Sequence, residues 1–78
     1  MSRREQLQDH LAKAERHVAE GMSRIIRQQA AVRQLERDGL TQTANQANAL
    51  LLQFEETFAL YVADRDRLWG ELKQINEA

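Results

Sequence analysis

The chain has 78 residues, 42% of them hydrophobic and 29% charged, with no proline, no cysteine and a formal net charge of −1. That length allows one domain whose core is marginal, because a chain this short buries only about 60% of its unfolded surface. Without cysteine there is no disulfide staple, no Cys-based zinc site and no thiol nucleophile. Stability must therefore come from very regular helix packing or from self-association.

Along the chain, Met1 to Gln6 is basic without an apolar stretch behind it, so it does not read as a signal peptide. The longest apolar run, Phe58 to Ala63, is far short of the about 20 residues a membrane span needs. The expected location is cytoplasmic. From Arg3 to Asp38 strong helix formers predominate, interrupted only by Gly21, and the stretch from Thr43 to about residue 76 is similar. The sequence thus predicts a first helix over about 3–38, a turn over about 39–42 and a second helix over about 43–76, all within a single domain, 1–78. Each helix would be a rod of roughly 50 Å.

The break is marked by Asp38-Gly39. Gly39 suits the left-handed position just past a helix end, with Leu35 and Leu40 at the two positions that touch in a Schellman cap. Thr43-Ala44-Asn45-Gln46 has the form of a capping box for the next helix, and Thr41 is a competing cap. A turn this short makes the helices antiparallel.

Periodicity sets the packing. Leu7, Leu11, Ala14, Val18, Gly21, Ile25, Gln28, Val32 and Leu35 alternate at spacings of four and three. Leu40, Ala44, Ala47, Leu51, Phe54, Phe58, Tyr61, Arg65, Leu68, Leu72 and Ile75 do the same. A sustained seven-residue period specifies a left-handed coiled coil. Folding about Gly39 places Gly21 opposite Phe58, Ala47 opposite Val32, Ile25 opposite Phe54 and Ala14 opposite Arg65, with small residues facing large ones in most of these pairs. Gln28 and Arg65 are polar residues in the seam and are expected to fix its register. Beside the seam, His10 is expected to pair with Glu71 and His17 with Asp64.

A hairpin needs one apolar stripe per helix, and this chain has more. Ala12, Ala19, Met22 and Ile26 flank the first seam, while Leu52, Ala59, Val62 and Trp69 flank the second on the same side of the hairpin. Such a face is expected to be covered. A second copy completing a four-helix bundle is the simplest cover, with Met22, Ile26, Leu52, Ala59, Val62 and Trp69 at the dimer interface. A different helical protein is the alternative occupant.

Chemistry finds little purchase. His10 and His17 stand seven residues apart, about 10 Å along a helix, too far for one metal to take both imidazoles. No Glu-x-x-His pair of the kind found in di-metal bundles occurs. There is no phosphate-binding glycine loop, no nucleophile beside a base and no room for a small-molecule pocket, so no catalytic, cofactor or metal site is expected. Nucleic acid is the alternative from another class. The first 38 residues hold eight basic residues against six acidic, and the rest three against six. Arg24, Arg27, Arg33 and Arg37 would form the contact surface of a small regulator. A near-neutral chain without a basic run weakens that reading.

Four strings carry a resemblance: Arg16-His17-Val18-Ala19-Glu20-Gly21, Leu35-Glu36-Arg37-Asp38-Gly39, Leu50-Leu51 with Phe54-Glu55-Glu56, and Asp64-Arg65-Asp66-Arg67-Leu68. In this order they resemble a group of short bacterial hypothetical proteins, over roughly residues 7 to 72. The resemblance implies a helical hairpin and brings no activity with it. The chain departs from that pattern at Leu40 and Gln42, where His and Asp are expected, and at Tyr61, where His is common.

Overall fold

A computed structural model describes residues 2–77; of the expected domain, Met1 and Ala78 lie outside the described residues. Two helices account for nearly all of it, α1 (Arg3–Arg37) and α2 (Thr41–Glu77), with no strand among the described residues. They pack along their length as a hairpin measuring 58 × 16 × 14 Å. The radius of gyration is 17.5 Å, against the roughly 11–12 Å of a compact domain of this size. A rod of this shape has no interior beyond the plane where the helices meet. Each helix can bury only the side chains that face its partner.

α1 starts at a cap. Ser2 is extended (φ −74°, ψ 162°), and its Oγ accepts the Glu5 N–H at 3.1 Å, satisfying one donor that has no partner inside the helix. Glu5 adds a negative charge in the first turn, and Arg37 a positive one in the last.

α1 ends in a Schellman motif. Gly39 has φ +75°, its N–H donates to the Glu36 carbonyl at 3.1 Å, and the Leu40 N–H donates to the Leu35 carbonyl at 3.0 Å. The second helix then begins at once. The Leu40 carbonyl accepts the Ala44 N–H at 2.8 Å, so Leu40 occupies the N-cap position and Thr41 is already helical. This corrects the expected start at Thr43: the left-handed residue turns the chain far enough that only Asp38, Gly39 and Leu40 lie between the helices. Leu40 remains half exposed rather than opening the second seam, because the turn lies beyond the last layer where the helices face each other. Replacing Gly39 by alanine puts a Cβ into that backbone conformation and should cost about 1–2 kcal/mol. Urea denaturation would register it as a lowered midpoint with an unchanged slope.

The seam is the one the heptads specify. On α1, Leu7, Leu11, Ala14, Gly21, Ile25 and Val32 are buried, and Val18, Gln28 and Leu35 are partly so. On α2, Ala44, Leu51, Leu68 and Leu72 are buried, while Ala47, Phe54, Phe58, Tyr61, Arg65 and Ile75 are partly buried. The tightest cluster, Leu7, Leu11, Ala14, Leu68 and Leu72 with Ile75 packed against it, closes the end away from the turn. Gly21 meets Phe58 as the register requires: a Cβ placed on Gly21 would lie 3.1 Å from the Phe58 ring and 3.6 Å from Tyr61.

Both polar seam residues find partners. Gln28 donates its side-chain amide to the Ala47 carbonyl across the seam at 2.8 Å. Arg65 turns outward, and its Nε and Nη2 donate to Asp66 Oδ1 at 3.1 and 3.0 Å. A buried charge is avoided because the guanidinium snorkels to the rim.

Candidate interaction face and the polar groove

A helix in a two-helix hairpin shows its partner a narrow stripe, and the residues beside that stripe point to one side of the rod or the other. In an antiparallel pair, corresponding flanks of the two helices fall on the same side. Met22, Ile26 and the smaller Ala12 and Ala19 on α1 therefore share a side with Leu52, Ala59, Val62 and Trp69 on α2. Met22 is 43% exposed, Ile26 55%, Leu52 55% and Trp69 51%. Ala12, Ala19 and Ala59 are also exposed, and Val62 alone is half-buried against the seam. The pattern leaves a long strip whose bulky apolar groups are separated by alanines and by Glu15, Glu55 and Asp66. Leu50 and Leu60 are exposed as well, but their heptad positions place them off this strip.

The other side is polar. His10, Lys13, His17, Asp64 and Arg67 line a shallow groove of about 250 Å³ floored by Ala14 and Leu68. The expected histidine pairs do not form; among the described residues no ion pair involves a histidine. Arg67 takes Asp64 at 2.7 Å and Glu71 at 2.9 Å, and Arg3 reaches Glu71 from α1 at 3.4 Å. The reason is local. Arg67 is three residues from Asp64 and four from Glu71 on the same helix, so its fork reaches both carboxylates without bridging the helices. Its hydrogen bond to Asp64, then the bond to Glu71 and that residue's charge, raise the Arg67 pKa further above its ordinary value. His17 instead lies against the Tyr61 ring, with centroids 5.1 Å apart and planes inclined by 32°. Lys13 pairs with Asp9 at 3.4 Å. Among the described residues, no group of three or more His, Cys, Asp or Glu side chains is placed to hold a metal ion.

The four arginines singled out for nucleic acid do not make one surface. Arg24 and Arg27 line a shallow groove with Ala19, Glu20 and Ser23. The Arg24 guanidinium also lies over the Phe54 ring, 5.5 Å from its centroid. Arg33 is nine residues on from Arg24, about two and a half turns, which puts it on the opposite side of α1. Arg37 donates to Gln34 Oε1 at 2.8 Å. An extended phosphate backbone would meet two of these four side chains at a time.

No helix among the described residues is long and apolar enough to cross a membrane. No protein-family model matches the chain, and neither the curated proteins nor the solved structures include a match. The fold and its surface thus define a class, a two-helix hairpin with one apolar flank, and the functional reading rests on that flank.

Proposed function

We propose that the protein is a non-enzymatic self-association module of the bacterial cytoplasm, in which two hairpins pack through their apolar flanks as a four-helix bundle. The observation that carries this is the exposure of Met22, Ile26, Leu52 and Trp69, four large apolar side chains on one side of one rod. Isolated exposed apolar residues are ordinary, but several large ones gathered on one side mark an interaction surface. The size is adequate. A flank of 58 × 16 Å offers on the order of 900 Å², near the roughly 800 Å² per partner of a standard stable interface. Glu15, Glu55 and Asp66 lie in the same strip; the long glutamate side chains can carry their carboxylates to the rim, and Asp66 is paired with Arg65. The cysteine-free composition accords with a reducing compartment.

The test separates the flank from the hairpin core. Ile26→Glu combined with Leu52→Glu alters two side chains that are more than half exposed in the single chain, so the helical content should be kept. The wild-type melting temperature should rise with protein concentration, as it must when association stabilises the fold, and that dependence should vanish in the double variant. A wild-type melting temperature independent of concentration would refute the proposal.

A further inference from the structure

The charges are segregated along the rod. Residues 21–54, the half that includes the turn, carry four basic side chains against two acidic ones, a net of +2. The half that includes both termini carries seven basic against ten acidic, a net of −3. Arg24, Arg27, Arg33 and Arg37 supply the entire positive end, since α2 bears no charged side chain from Thr41 to Phe54.

The apolar flank has its own symmetry. The contacts of Gly21 with Phe58, His17 with Tyr61 and Arg24 with Phe54 set the level of one helix against the other. At that register Ala19 and Ala59 stand side by side on the flank, both exposed. One heptad from Ala19 toward the turn is Ile26, and one heptad toward the terminus is Ala12. Two heptads away are Arg33 and Glu5.

We propose, on the basis of the self-association reading above, that the two copies stack with their turns at opposite ends, about a two-fold axis that crosses the rod at Ala19 and Ala59. Residues on such an axis meet their own copies, so they must be small and uncharged for the helices to approach, and both are alanine. Ile26 then comes opposite the partner's Ala12, a large side chain on a small one. Arg33 comes opposite the partner's Glu5. The positive half of each rod covers the negative half of the other. The alternative two-fold arrangement, with both turns at the same end, sets +2 against +2 and −3 against −3. Complementary fields of this kind choose orientation more than they add affinity.

Because the chain has no cysteine, a single introduced thiol reports without background. Gln42→Cys carries a spin label on the exposed first turn of α2. Gln42 is 17 residues from Ala59 along α2, so at about 1.5 Å rise per residue the two labels of a dimer should lie roughly 50 Å apart; turns at the same end would bring them within about 25 Å. Double electron–electron resonance reads this distance. Ala19→Cys supplies an independent reading, since two thiols on the axis should join the copies by a disulfide under mild oxidation. A long inter-label distance with Ala19→Cys cross-linking supports the arrangement. A short distance overturns it while leaving the dimer intact. Labelled chains that sediment as monomers overturn both the arrangement and the self-association on which it rests.

Discussion

Truncating Leu68 to alanine is expected to cost about 2–5 kcal/mol, as for other buried leucines cut back to alanine. Leu68 is 4% exposed and lies among Leu7, Leu11, Ala14 and Leu72, the cluster that closes the end of the hairpin away from the turn. Removing its branched end forfeits the transfer free energy of the buried methyl groups and leaves a void that two long helices cannot collapse without losing the register on either side. Net stability of small domains is about 5–15 kcal/mol, so the variant should lose much of its cooperative melting. Leu60 is the internal control. It is the same residue type on the same helix but 71% exposed, and Leu60→Ala should stay within about 0.5 kcal/mol of wild type. Equal losses at the two sites by chemical denaturation would contradict the hairpin packing.

Gly21→Leu is expected to cost about 1–3 kcal/mol. With the Phe58 ring already 3.1 Å from where a Cβ would sit, the remaining leucine carbons have no space unless Phe58 or the backbone moves. Gly21→Ala is a sharper probe, since the methyl group demands only that the half-buried Phe58 ring yield by a few tenths of an ångström. Alanine also gains about 1 kcal/mol of helix propensity over glycine. The two terms oppose, so Gly21→Ala should lie near neutrality while Gly21→Leu is plainly destabilised. A Gly21→Leu midpoint equal to or above wild type would mean that this glycine does not exist to admit Phe58.

What could be read from the residues follows from what periodicity encodes. The seven-residue repeat places a side chain on one azimuth of a helix, and Leu7, Ala14, Ile25 and Val32 are buried where it puts them. The Schellman cap is legible because a glycine followed by Leu40, with Leu35 in the turn before it, has few other uses. The turn is shorter than its residues suggest: the Thr43-x-x-Gln46 pattern is real, but Leu40 both ends one helix and begins the next, and no local pattern announces that economy. The start of α1 carries a signal of its own, since Ser2-Arg3-Arg4-Glu5 is of capping-box form and Ser2 does cap the helix. The histidine pairs failed for a different reason. Register arithmetic brings His17 and Asp64 to the same groove, and they do line it together. It is blind, however, to an arginine on the same helix that reaches the carboxylate first. Likewise a cluster of arginines in sequence became two on one groove and two elsewhere once the helix turned them around its axis.

The apolar flank was equally visible in the heptads, because Met22, Ile26, Leu52 and Trp69 fall beside the seam rather than in it. Periodicity identifies a side chain that leaves the hairpin plane; it carries no information on what meets that side chain. Sedimentation equilibrium on the wild-type chain addresses this point most directly. A self-associating module should give a mass twice the 9.0 kDa of the chain at high concentration, dissociating on dilution. A mass that stays at 9.0 kDa at every concentration, with helical content intact, would contradict the account.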